Sequence, residues 1–135
     1  MTRQGEVWVY VDVVCDLFHA GHVAFFEKAR ALGDRLVVGL MSDDDVATYK
    51  PRPIMTFAER KAVVRACRLV DRVMEEPGPL HCTPELLDSL GAAFVVHGDD
   101  MPPDQIAFWY KAVIPSGRLR VVPYTPDIEI GRAHV

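Results

Sequence analysis

Apolar positions along this chain follow two periods that take turns. Residues 7–14, "VWVYVDVV", are β-branched and aromatic, the composition of a buried strand. Over residues 21–32 the period lengthens: Val23, Phe26, Ala29 and Leu32 recur at helical spacing toward a sheet, while Glu27, Lys28 and Arg30 face water. Gly33 with Asp34 is expected to stop that helix. Residues 35–41, "RLVVGLM", are almost continuously apolar, as in a strand covered on both faces.

The alternation continues. Ser42 caps a short helix through "SDDD", which leaves Asp43 to Asp45 explained by capping and solvation. "YKPRPI" is a proline-broken loop, and Thr56 caps a helix over 57–69 with Glu59 in its first turn. "DRVMEE" is a short strand before the "PGP" turn, and "TPELLDSLG" is a capped helix with proline first and glycine last. "AAFVVHGDD" is a strand and loop, "AFWYK" lies on a helix, and "RLRVVPY" is the last strand. Five strands alternating with helices predict an α/β, Rossmann-like, doubly wound, five-stranded parallel sheet in one domain, residues 1–135. The tail "DIEIGRAHV" offers no closing helix, which suits a domain excised from a longer fused chain.

Composition narrows the function. With 15 Lys and Arg against 19 Asp and Glu, the chain has no basic excess for nucleic acid, though a local anion pocket remains open. Three scattered cysteines argue against a disulfide framework and fit a cytoplasmic protein. No apolar run approaches the roughly 18 residues of a membrane span.

In a doubly wound sheet, ligands sit beyond the carboxyl ends of the strands. "CDLFHAGH", "MSDDD", "HGDD" and "PYTPD" fall there. His19 and His22, around Gly21, stand at a helix N-terminus, where free backbone N–H groups and the helix dipole favour an anion. Spacing of three puts both rings on one side of the first turn, and glycine lets a phosphate approach the backbone. Either histidine alone is explained by capping or solvent exposure; the pair after a strand favours a phosphate site. A metal held by Cys15, His19 and His22 matches no common zinc spacing.

"CDLFHAGH" resembles the HxGH signature of the nucleotidyltransferase superfamily, and "RKAVVRACRLVD" (60–71) resembles the RxxxVxxxxxVD signature of its cytidylyltransferases. The similarity runs over residues 7–128, with "KARALGDRLVVGLMSDDD" and "FVVHGDD" like the ethanolamine-phosphate enzymes. It implies transfer of CMP from CTP to a small phosphorylated or phosphonylated alcohol, by direct attack on the α-phosphorus, with Mg²⁺ carried mainly by the CTP phosphates. It implies catalytic roles for His19, His22 and Lys50, and nucleotide contacts at Val14, Cys15, Asp16, Gly21, Arg60, Arg68, Gly98, Asp99, Asp100, Thr125 and Ile128. Arg68 would read the base, while Arg60 and Asp71 are partly structural. Asp12, Phe108, Trp109, Tyr110, Lys111 and Tyr124 are acceptor-site candidates, although an aromatic run is more often core or subunit contact. A homodimer is expected, and the nearest alternative activity is that of an adenylyltransferase using ATP.

One signature departs from the pattern. Where the family has RTxGIS, this chain has "YTPDIEIG": Tyr124 replaces the arginine, Asp127 the glycine and Glu129 the serine. The two carboxylates would repel phosphates. A divergent branch, a truncated end, or a nucleotide-binding module without turnover would each produce this. Relatives of the phosphonate pathway are sometimes fused to a phosphoenolpyruvate mutase, which leans the expected acceptor toward 2-hydroxyethylphosphonate.

Overall fold

The computed structural model describes residues 5–124. Strands β1 (Trp8–Val13), β2 (Arg35–Leu40), β3 (Arg72–Val73), β4 (Ala92–Gly98) and β5 (Leu119–Val122) form one sheet in the order β3-β2-β1-β4-β5. Every pairing is parallel. From β1 the chain winds outward through β2 to β3, then crosses back to β4 and winds the other way. The strand order therefore reverses between β1 and β4, and the ends of those two strands form the crevice.

Strand alternation sorts β1 between two cores. Val9 and Val11 pack with Phe26, Ala29, Leu36, Val38, Leu40 and Val64 on the face covered by α1 (Ala20–Arg30) and α3 (Phe57–Arg65). Trp8 and Tyr10 pack with Val37, Leu87, Val95, Trp109 and Tyr110 on the face covered by α4 (Pro84–Leu90) and α5 (Pro103–Trp109). Asp12, two residues beyond Tyr10, inherits this second face at the strand's open end. The α2 helix (Asp43–Ala47) leads from β2 into the loop carrying Lys50.

Capping follows the sequence closely. Ser42, Thr56 and Thr83 each accept a backbone N–H at their helix starts, and Thr56 with Glu59 forms a reciprocal box. Gly91 ends α4 in the left-handed conformation, at φ 70°.

Four local expectations need correction. Leu32 is 42% exposed, because α1 ends at Arg30 and the apolar stripe ends with it. Gly33 is not a left-handed stop; a Cβ there would lie 2.8 Å from the Val7 carbonyl oxygen, so close packing against β1 demands glycine. The α3 helix stops at Arg65 rather than near residue 69. Asp43 does more than cap, since its carboxylate pairs with Arg60.

Candidate active site

The turn from β1 into α1 departs twice from ordinary backbone geometry. Cys15 and Leu17 lie in the left-handed region at φ 55° and 50°, uncommon for residues with a Cβ. These twists flank Asp16, whose carboxylate accepts the N–H groups of Ile54 at 2.8 Å and Met55 at 2.9 Å. Leu17 N–H points at the Met55 sulfur, 3.2 Å away. Asp16 thus ties the β1–α1 turn to the loop that begins at Lys50.

Arg60 secures the same region from below. Fully buried, it donates to the carbonyls of Val14 (2.9 Å), Met41 (3.0 Å) and Met55 (3.3 Å), and pairs with Asp43. Its planar fork links the ends of β1 and β2 to the following loop. Arg60, expected at the nucleotide, spends its donors on three main-chain carbonyls and the Asp43 carboxylate and is not among the residues that line the cleft. Asp71 is structural in the same sense, accepting from Leu36 N–H at 2.8 Å and from Arg35 at 3.2 Å.

His19 is the N-cap of α1, and its Nδ1 accepts Gly21 N–H at 3.0 Å. His22 returns the arrangement, its Nδ1 accepting His19 N–H at 3.0 Å. A ring nitrogen that accepts carries no proton, so both neutral rings hold their proton on Nε2. The rings sit 4.1 Å apart between centroids, and Phe18 stacks on His22 at 5.4 Å. Burial, then His19 and Lys50, lower the His22 pKa from 6.5 to about 4, against an opposing pull from Asp16. His22 is accordingly a neutral Nε2–H donor near pH 7. Capping and a phosphate-facing role are compatible here, because Nδ1 serves the helix and Nε2 is left to donate.

The cleft at the strand reversal is lined by Asp12, Val14, Cys15, Asp16, Gly21, His22 and Lys50 from one side, and by His97, Gly98, Asp100, Trp109, Tyr110 and Tyr124 from the other. Its cavity volume of about 160 Å³ falls below the roughly 300 Å³ of a pocket that engulfs a drug-sized ligand. The deep end thus suits a small group, and anything larger extends across the open strand ends. At that deep end Asp12, 7% exposed, accepts the Tyr110 hydroxyl at 2.5 Å. Burial pushes the Asp12 carboxyl upward, against the Tyr110 hydrogen bond and His97. Burial likewise pushes the Cys15 thiol up, and the Cys82 thiol to about 12, so neither is a thiolate nucleophile.

Several candidates lie elsewhere. Arg68 is exposed in the turn after α3, Phe108 is exposed on α5 against His81, and Lys111, just beyond that helix, lies over the Phe108 ring; none of the three lines the cleft. The residues expected to read the base (Arg68) and to meet the acceptor (Phe108 and Lys111) are thus not brought together with the cleft-lining residues. The physical reason is the same for all three: their side chains project from the outer surface, away from the strand ends. Asp99 and His19 also stand outside the cleft lining; the Asp99 carboxylate accepts Tyr124 N–H at 2.8 Å and positions that residue, and the His19 ring lies 4.1 Å from that of His22, which does line it. Thr125 and Ile128 lie outside the described residues. Sequence reasoning missed His97, Tyr49, Leu80 and Met101, which also line the cleft. His97 was hidden inside a strand composition, and only its place at the carboxyl end of β4 could have exposed it.

Among the described residues no group of three or more His, Cys, Asp or Glu is arranged to hold a metal ion. Asp12 and Asp100 are separate cleft carboxylates, a donor set that fits a cation brought in on substrate phosphates. No helix of the described residues is long and apolar enough to cross a membrane.

Comparison with known proteins agrees with this geometry. A solved lipopolysaccharide core biosynthesis protein from Thermoplasma volcanium GSS1 superposes with a TM-score of 0.72 over 90% of this chain and 98% of its own, at 22% identity, a likeness of fold. The ethanolamine-phosphate cytidylyltransferase of Dictyostelium discoideum is 39% identical over 128 residues, 94% of this chain and 35% of that protein. The bifunctional protein HldE of Edwardsiella ictaluri is 35% identical over 126 residues, 90% of this chain and 26% of that protein. The chain thus spans about a third or less of the length of these curated relatives. The profile of the family described as Cytidylyltransferase-like matches residues 14–125, and the chain belongs to that family of nucleotidyltransferases.

Proposed function

We propose that this chain transfers CMP from CTP to a small phosphorylated or phosphonylated alcohol and releases pyrophosphate. The observation that carries this reading is the histidine pair, whose Nδ1 atoms are both taken by the helix start, leaving two Nε2–H donors at the positive end of α1. An oxygen of the acceptor attacks the α-phosphorus of CTP, and the bond from that phosphorus to the pyrophosphate oxygen breaks. Negative charge grows on the phosphoryl and leaving oxygens, and donors fixed beforehand stabilise it more than they stabilise the ground state. His22, kept neutral by burial, hydrogen-bonds without contributing a mobile proton. Lys50 adds positive charge from the loop that Asp16 holds in place. Mg²⁺ arriving on the triphosphate would supply charge neutralisation, with Asp100 among the cleft carboxylates that could touch it.

The nucleotide end lies across Gly21, Gly98 and Tyr124, and the acceptor's tail at Asp12, Trp109 and Tyr110. AMP transfer from ATP is the second reading, favoured by one observation: Arg68, the expected reader of cytosine, is outside the cleft. The likeness of "RKAVVRACRLVD" to the cytidylyltransferase signature supports CTP. Pyrophosphate release measured with each nucleotide, Mg²⁺ and a panel of phospho- and phosphono-alcohols separates them. Release with CTP alone among nucleotides supports the first reading, release with ATP the second, and release with neither leaves a binding module.

A further inference from the structure

Lys50 follows the last turn of α2, where its own N–H and that of Tyr49 both donate to the carbonyl of fully buried Val46 at 3.1 Å. The main chain is therefore fixed up to the lysine, but the side chain is not fixed by it. Lys50 is exposed and, among the described residues, forms no ion pair; its ammonium lies over the Tyr49 ring, 5.8 Å from the centroid. Side chains adjacent in sequence do not face one another on a regular helix, and these two meet because α2 has ended at Ala47. The Tyr49 ring is in turn met edge-on by Trp109, with centroids 4.6 Å apart and an interplanar angle of 64°. Trp109 is itself buried, packed with Leu87, Val95 and Tyr110.

This contact joins elements from opposite sides of β1. Tyr49 follows β2 and α2, Trp109 ends α5 after β4, and β2 and β4 flank β1 in the sheet. Tyr49 and Trp109 therefore span the crevice in which His22 sits, and all three line the cleft with Lys50. Lys50 also helps to lower the His22 pKa, as a cation near that ring must.

We propose that Tyr49 is a positioning residue for the transfer reaction: braced by Trp109, its ring sets the Lys50 ammonium where the phosphates of the nucleotide would lie. The proposal rests on the CMP-transfer reading and adds to it a residue that acts through Lys50. A lysine has many rotamers, and ordering it at the moment of reaction would cost entropy. A carboxylate partner would order it but would neutralise the charge that the phosphates need. The face of an aromatic ring attracts the ammonium more weakly and leaves its charge and N–H donors available. The brace matters because a ring free to swing would carry the lysine with it.

The test uses the whole chain with CTP, Mg²⁺ and the panel of phospho- and phosphono-alcohols, in the parent, Tyr49→Leu, Tyr49→Phe and Lys50→Met. Tyr49→Leu keeps apolar bulk against Trp109 and removes the ring; kcat is expected to fall by at least about tenfold. Tyr49→Phe, which keeps the ring and loses only the hydroxyl, should recover most of that loss. In the Lys50→Met background, Tyr49→Leu should change kcat by less than about threefold, because no ammonium is left to place. Losses that multiply in the double variant, a parental kcat in Tyr49→Leu, or a Tyr49→Phe no better than Tyr49→Leu overturns the assignment.

A second readout needs no turnover. In the protein without nucleotide, NMR titration of His22 should show its pKa raised by Lys50→Met and raised in the same direction by Tyr49→Leu, with no further rise in the double variant. A His22 titration that Tyr49→Leu leaves at the parental position overturns the role of Tyr49. Should the parent yield no CMP-linked product, the transfer reading fails by itself, and the His22 titration still decides whether Tyr49 places Lys50.

Discussion

His19 and His22 cap one another: each Nδ1 accepts a main-chain N–H at 3.0 Å from the first turn of α1, and each ring is thereby fixed with its proton on Nε2. A helix start that would need only a serine is made here from two imidazoles, and the surplus is a pair of fixed donors.

Replacing either histidine by alanine removes one such donor. Turnover is expected to fall by about 10²–10³, and His19→Ala should also lose about 1 kcal/mol of stability with its cap. The double variant should cost much less than the product of the single losses, because the two rings act as one unit. Steady-state pyrophosphate release and thermal melts read both effects; turnover within about threefold of the parent would refute the assignment.

The depressed His22 pKa also makes stability depend on pH. Between about 4 and 6.5 the unfolded chain binds a proton that the folded His22 does not. Stability from this group is complete above about pH 6.5 and falls as pH drops through about 4. The Tm of the parent should therefore decline over that window more steeply than that of His22→Gln. Parallel profiles would mean that His22 titrates normally.

Arg60 is expected to matter for folding rather than for contact with substrate. Arg60→Met leaves the Val14 and Met41 carbonyls and the Asp43 carboxylate unmatched, at a cost of about 3–5 kcal/mol. Arg60→Lys should rescue little, since an ammonium cannot span carbonyls on two strand ends. Denaturant melts check this; a variant of parental stability would contradict it.

Asp16→Asn tests the tether of the Lys50 loop. An amide has one oxygen to accept with, so only one of the Ile54 and Met55 N–H groups can keep its partner. Hydrogen exchange at those two amides should accelerate by at least about tenfold, with turnover falling alongside. Unchanged exchange would show that the tether is held by other contacts.

Tyr10 offers an opposite case. Its buried hydroxyl has no hydrogen-bond partner and leans over Gly39 and Gly78, where an added Cβ at Gly78 would meet it at 2.8 Å. Tyr10→Phe should leave stability unchanged or raise it, because it removes an unmatched polar atom. Gly78→Ala should destabilise the parent by about 1–3 kcal/mol and the Tyr10→Phe background by less.

How much of this was legible in the sequence depends on distance along the chain. The five strands, the Ser42, Thr56 and Thr83 caps and the Gly91 stop are local signals, and each appears where its residues put it. The histidine pair was legible for the same reason, being a strand-to-helix junction only a few residues long. Contacts across long separations were not legible. Nothing near Arg60 announces that its guanidinium reaches Val14 and Met41, and nothing in "FVVHGDD" announces that His97 meets Tyr110. Arg68 and Phe108 lie outside the cleft lining for the converse reason, since the same composition fits an outer surface and a pocket wall equally well.

The central claim is a bond made between CMP and an acceptor, and the mass of the product tests it most directly. With CTP, Mg²⁺ and phosphoethanolamine, the account predicts a CMP-linked product with one pyrophosphate released for each molecule formed. In the His22→Ala variant that yield should drop by at least about a hundredfold. CTP left intact by the folded parent across the whole acceptor panel, or hydrolysed to CMP without any linked product, would contradict it.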